Sequence, residues 1–87
     1  MESLNIQRLI AKGESDVLEF KSSFGKDVIE TICAFANHKG GTVLVGVAEG
    51  GKVVGVTCGV ESIQNWVNEI KQNTMPSIIP DIALSRT

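Results

Sequence analysis

The spacing of apolar residues along the chain predicts three amphipathic helices, because side chains three or four positions apart share one face of a helix. The first helix ends at Gly13, the second spans Asp27 to Asn37, and the third follows residue 59. Glycine and asparagine suit helix ends because they tolerate left-handed backbone. Trp66 lies on the apolar face of the third helix and is expected in the core. The apolar residues of the three helices are, in order, Leu4, Ile6, Leu9 and Ile10; Val28, Ile29, Ile32, Cys33, Phe35 and Ala36; and Val60, Ile63, Val67 and Ile70.

Segments of alternating or β-branched residues predict the strands. In 17–21 the alternation places Leu18 and Phe20 on one face, with Glu19 and Lys21 on the other. Thr42 to Val47 is apolar on both faces and reads as a central strand. A tight hairpin turn at 49–51 returns the chain as a partner strand over 52–56, and a last strand at 82–87 follows the two prolines, Pro76 and Pro80.

The predicted order of elements is therefore α-β-α-β-β-α-β. A tight hairpin between helices makes at least part of the sheet antiparallel, which favours an α+β fold with a mixed or antiparallel sheet and helices packed on it over a doubly wound fold. The 87 residues suffice for one domain, 1–87. Because the chain stops within a predicted strand, we expect it to be the N-terminal fragment of a longer protein, truncated at its C-terminus.

Composition narrows the class of protein. Hydrophobic residues make up 43% and charged residues 21% of the chain, which is typical of a globular domain. The formal net charge of −2 gives no overall attraction to nucleic acid or to an anionic membrane, so such binding requires a local patch. Cys33 and Cys58 lie among apolar residues and are expected to be reduced and buried. With no apolar run of membrane-spanning length and no signal peptide, a cytoplasmic protein without a membrane partner is predicted.

Several familiar catalytic patterns are not supported. Gly40-Gly41 follows a helix and precedes a strand, whereas a phosphate-binding loop opens a helix, so a helix end and turn explain these glycines better. Gly50-Gly51 is explained by the hairpin. His38 is the only histidine, so there is no zinc-like spacing.

Three acidic residues are the candidate catalytic and metal-binding residues. Glu14 precedes the first strand, Glu19 lies within it, and Glu49 ends the central strand, so neighbouring strands would bring the three carboxylates together. Mg²⁺ and Mn²⁺ prefer such oxygen ligands and can activate water for phosphoryl transfer. The alternative is that all three are solvated surface charges.

Four lysines are candidates for contacts to nucleic-acid phosphates. Lys21 shares a strand face with Glu19, and it can either contact a phosphate or pair with that carboxylate. Lys26, Lys39 and Lys52 lie in or near loops and would add to a basic rim, although such lysines often only keep a surface soluble. No aromatic residues are interleaved with them, so a base-stacking platform is not predicted.

Three short motifs occur in order between Gly13 and Val56. They are Gly13-Glu14-Ser15 with Leu18-Glu19-Phe20-Lys21; Cys33-Ala34-Phe35-Ala36-Asn37 with Gly40-Gly41-Thr42; and Val45-Gly46-Val47 with Gly50 and Val54-Gly55-Val56. Together they resemble the Schlafen AlbA-like domain, also called divergent AAA. The resemblance implies an α+β module that binds DNA or RNA, typically N-terminal in bacterial transcriptional regulators or RecG-related proteins.

The same resemblance implies two alternatives. Vertebrate Schlafen members include metal-dependent endoribonucleases, whose acidic residues match Glu14, Glu19 and Glu49 and whose neighbouring lysine matches Lys21. The third position is commonly Asp there, and this chain has Glu49 instead. The older family name implies a nucleotide (ATP)-binding or oligomerisation domain, and hence a possible homo-oligomer.

Overall fold

The computed structural model describes residues 5–56 and 60–74. Within these ranges the elements are α1 (Ile6–Lys12), β1 (Leu18–Lys21), α2 (Lys26–Ala36), β2 (Thr42–Val45), a short 3-10 helix (Glu49–Gly51) and α3 (Val60–Gln72). The predicted α+β class and the order of these helices and strands are confirmed. The predicted last strand, the two prolines and Cys58 lie outside the described residues.

Helix α1 begins after Asn5 and ends at Gly13, the end that its sequence predicts. The Asn5 side chain accepts a hydrogen bond from the Arg8 amide at 3.0 Å, which satisfies one of the free N–H groups of the first turn. Gly13 follows the helix with a φ of 81° and donates its amide to the carbonyls of Leu9 and Ile10. The left-handed glycine therefore ends α1 and turns the chain toward β1.

The β1–α2–β2 segment forms a parallel pair of strands. Leu18 lies opposite Thr42 and Lys21 lies opposite Val45 in the register. The sheet of the described residues is thus parallel, where the sequence predicted at least partly antiparallel pairing. The reason is the crossover, because α2 carries the chain back to the end at which β1 starts.

The predicted hairpin is the principal correction to the fold. Residues Glu49–Gly51 form a 3-10 helix, and the predicted partner strand over 52–56 is reduced to one isolated antiparallel bridge, between Val47 and Val53. The Gly46 carbonyl accepts the amides of both Val54 and Gly55, each at 2.8 Å. Two successive amides on one carbonyl are typical of a β-bulge, which disrupts the ladder locally, and the pairing here is limited to the one bridge.

The main apolar cluster confirms the predicted alternation of β1. Leu18 and Phe20 are buried with Leu44 and Val47, while Glu19 and Lys21 are half-buried on the opposite face. Ile6, Leu9 and Ile10 of α1 pack against this cluster. The polar face of β1 is therefore fixed by the burial of its apolar face.

Two predictions about burial were wrong. Trp66 is half-buried rather than in the core, and its ring stacks on Phe24 with centroids 4.8 Å apart and an interplanar angle of 10°. Cys33 is a free, half-buried thiol. Both side chains belong to helix faces that are only partly covered by the described residues. The buried apolar residues of α2 and α3 are instead Val28, Ile29 and Ile70.

Candidate nucleic-acid interface

A lysine with two carboxylate partners lies at the carboxyl end of β1. The Lys21 Nζ atom is 3.3 Å from Asp27 Oδ2 and 3.8 Å from Glu19 Oε2, and the lysine side chain is only 21% exposed. We refer to Glu19, Lys21 and Asp27 as the Lys21 cluster. Because β1 and β2 are parallel, the cluster lies at the end of the sheet where the chain leaves both strands.

Strand and helix geometry together build the Lys21 cluster. Glu19 and Lys21 are two positions apart in a strand and so share a face. Asp27 lies in the first turn of α2, where the helix dipole favours a negative charge. Asp27 was absent from the candidate residues because only the fold of the β1–α2 loop brings it to Lys21. The sequence did offer one signal for this contact. Asp27 begins the predicted helix that follows the strand ending at Lys21.

Glu14 has a structural contact at the outer edge of β1. Its Oε2 atom accepts a hydrogen bond from the Phe20 amide at 3.0 Å. The carbonyls of Val17 and Lys21 accept hydrogen bonds from the amides of Thr42 and Gly46 in the ladder with β2, so the amide of Phe20 points to the opposite edge. Glu14 therefore supplies the hydrogen bond that a third strand would otherwise supply.

The predicted glutamate centre is not assembled as a metal site. Glu49 is exposed at the start of the 3-10 helix, and within residues 5–56 and 60–74 no three His, Cys, Asp or Glu side chains are placed to hold a metal ion. Glu14 is engaged by the Phe20 amide and Glu19 by Lys21, so this arrangement does not fit a divalent cation. The assignment of the three glutamates as ligands stays a prediction.

The candidate lysines lie at different places on the sheet. Lys26 is exposed at the first position of α2, near the end occupied by the Lys21 cluster. Lys39 precedes β2 and pairs with Asp16, which precedes β1, at 3.3 Å, so this pair lies at the amino end of the sheet. Lys52 is exposed after the 3-10 helix. The structure therefore brings Lys21 and Lys26 to one end of the sheet and Lys39 to the other.

The Gly40-Gly41 pair has the structural role predicted for it. Gly40 has a φ of 85° and donates its amide to the Phe35 carbonyl at 2.8 Å, which closes α2. A Cβ atom on Gly41 would lie 2.6 Å from the Phe35 ring, closer than real contacts allow. Both glycines thus serve the turn from α2 into β2.

A groove of about 540 Å³ lies between α2 and α3. Its lining carries charges of both signs, because Glu30 and Glu69 stand with Lys26. Two carboxylates against one lysine disfavour a phosphate there. The Lys21 cluster also sets two carboxylates against one lysine, but Lys26 lies near it. That end of the sheet then has two lysines for two carboxylates and is the better candidate for contact with nucleic acid.

The parallel β-α-β unit and the helices beside it define a small α+β domain, with a polar cluster at the carboxyl end of its strands. A family model described as Schlafen, AlbA_2 matches residues 14–86, and the chain belongs to this family. The resemblance carried by the three motifs is thereby confirmed, and the family is broadly associated with nucleic acids. No solved structure matches the chain. None of the helices in the described ranges is long and apolar enough to cross a membrane.

Proposed function

We propose that this domain binds DNA or RNA by contacting backbone phosphates at the carboxyl end of β1. It would serve as an N-terminal module of a longer cytoplasmic protein, either a transcriptional regulator or a RecG-related protein. The observation that carries the proposal is the position of Lys21, whose ammonium group is held at the end of the sheet by two carboxylates. Family membership supports nucleic acid as the class of ligand, and the position of Lys21 supports this end of the sheet as the place of contact.

The negative net charge of the chain means that binding to a polyanion must depend on a local group of lysines. The formal net charge is −2, so the whole molecule does not attract a polyanion. Lysine recognises phosphate as a compact charge with three N–H donors, and contacts of this kind supply most of the non-specific affinity for nucleic acid. The proposal therefore predicts weak, strongly salt-dependent binding that depends on the lysines at one end of the sheet.

The test is a titration of the protein with duplex DNA and with structured RNA at low and moderate salt. Lys21→Met should weaken binding and reduce the slope of log K against log salt by about one, because one phosphate contact is lost. Lys39→Met is the matched control, since it removes the same charge from the opposite end of the sheet. The proposal is rejected if no salt-sensitive binding occurs, or if both substitutions weaken binding equally.

The ribonuclease alternative remains a separate prediction. It requires Glu14, Glu19 and Glu49 to move together around Mg²⁺ or Mn²⁺, because the described residues do not hold such a group. Metal-dependent cleavage of structured RNA that Glu19→Gln abolishes would support it. The nucleotide-binding alternative gains no support from Gly40 and Gly41. The Gly40 amide is bonded to the Phe35 carbonyl, and Gly41 packs against the Phe35 ring.

A further inference from the structure

Two lysine–aspartate pairs have the same separation and different surroundings. Lys21 lies 3.3 Å from Asp27, and Lys39 lies 3.3 Å from Asp16. The Lys39 side chain is 75% exposed, whereas the Lys21 side chain is 21% exposed. Water surrounds both partners of the Lys39–Asp16 pair, whereas the Lys21 ammonium lies in a largely covered position beside an aspartate that is 61% exposed.

We propose that Asp27 competes with nucleic-acid phosphates for Lys21 and thereby sets the affinity of the interface. The inference rests on the proposed function, in which Lys21 contacts phosphate. A phosphate that approaches Lys21 meets an ammonium group already paired with Asp27 and, at 3.8 Å, with Glu19. It must displace a carboxylate or share the lysine with it, and either step weakens binding.

The exposure of the two carboxylates identifies Asp27 as the group that is displaced. Its side chain is 61% exposed, against 36% for Glu19, so it has more room to turn toward solvent. Asp27 is also the closer partner and therefore the stronger competitor. An aspartate in the first turn of α2 thus acts as an internal anion that keeps non-specific binding low.

The experiment compares Asp27→Asn with Asp16→Asn in titrations of duplex DNA and structured RNA at low salt. Each variant removes one negative charge, so the general attraction for a polyanion rises equally. We expect Asp27→Asn to bind about threefold to tenfold more tightly than the unmodified protein, and Asp16→Asn less than about twofold more tightly. In a Lys21→Met background the gain from Asp27→Asn should fall to that of Asp16→Asn, because the contested group is gone and only the general effect of charge remains.

Folding is checked for each variant by circular dichroism and by the fluorescence of Trp66, which is the only tryptophan in the chain. Asp27→Ser is the second variant, because serine also suits a helix start. Equal gains from Asp27→Asn and Asp16→Asn would overturn the inference and leave the proposed function standing. Weaker binding by both Asp27 variants would also overturn it, since Asp27 would then position Lys21 for phosphate. Absence of salt-sensitive binding by every variant would overturn the proposed function itself.

Discussion

At Glu14 a single side chain has two competing interpretations, one structural and one chemical. Its carboxylate accepts the Phe20 amide at the outer edge of β1. A charged acceptor makes a stronger hydrogen bond than a neutral one, and an unpaired, partly buried amide is unfavourable. The contact observed for Glu14 therefore favours a role in holding the edge of the sheet.

The stability of Glu14 variants measures that structural role. Glu14→Ala should lower the free energy of unfolding by about 1–2 kcal/mol, because it leaves the Phe20 amide without its partner. Glu14→Gln retains an acceptor oxygen and should lower it less. Urea unfolding followed by circular dichroism gives both values.

Glu49→Ala is the control, because Glu49 is an exposed glutamate. It should leave stability within about 0.5 kcal/mol of the unmodified protein. If Glu14→Ala were as stable as Glu49→Ala, the edge contact would contribute nothing. Loss of metal-dependent cleavage in a fully stable Glu14→Gln protein would instead favour the ligand role.

Between elements, the turn from α2 to β2 shows why two neighbouring glycines are needed for different reasons. Gly40 has a positive φ that L side chains rarely adopt, whereas Gly41 does not. Gly41 is required because the Phe35 ring occupies the space of its missing side chain. The sequence predicted a helix end here, but the contact with Phe35 is not visible in the local pattern.

A double-mutant cycle separates these two causes. Gly41→Ala should lower the free energy of unfolding by about 1–3 kcal/mol through overpacking. Phe35→Leu removes the ring, so Gly41→Ala should be less unfavourable in that background. Gly40→Ala should lower stability by about 1–2 kcal/mol in both backgrounds, because its strain lies in the backbone. An equal effect of Gly41→Ala with and without the ring would contradict the packing explanation.

The strand pairing illustrates what the local pattern cannot predict. Alternation located β1 and its two faces, because a period of two is a property of the segment itself. The segment Glu49-Gly50-Gly51 was consistent with a hairpin, yet the pairing after it is one bridge. Pairing depends on which distant backbone groups meet. Here the Gly46 carbonyl accepts the amides of both Val54 and Gly55.

For the molecule as a whole, the candidate site was predictable where it lies on one element. Glu19 and Lys21 were placed together correctly from the strand alone. The pairing of Lys21 with Asp27 and that of Lys39 with Asp16 depend on loops that connect separate elements. Sequence reasoning therefore found the central lysine and missed the residue that we propose controls it.

The attachment of α3 to the β-α-β unit can be tested through one aromatic pair. Trp66 of α3 stacks on Phe24 of the β1–α2 loop at 4.8 Å, and such stacking stabilises by about 0.5–1.5 kcal/mol beyond the area it buries. Phe24→Leu should lower the free energy of unfolding by about 1–2 kcal/mol and shift Trp66 emission to longer wavelength, because the indole becomes more hydrated. Phe24→Tyr keeps a ring and should preserve the emission.

The same contact links α3 to the proposed interface. Phe24 lies in the loop between Lys21, the last residue of β1, and Lys26, the first residue of α2, so a ring that anchors this loop would limit the positions open to the start of α2. If the stack anchors the loop, Phe24→Leu should weaken nucleic-acid binding together with the loss of stability, although it removes no charge. If binding were unchanged while Trp66 emission shifted, the interface would not depend on the position of α3. The pairing of β1 with β2 would then suffice to hold Lys21 in place.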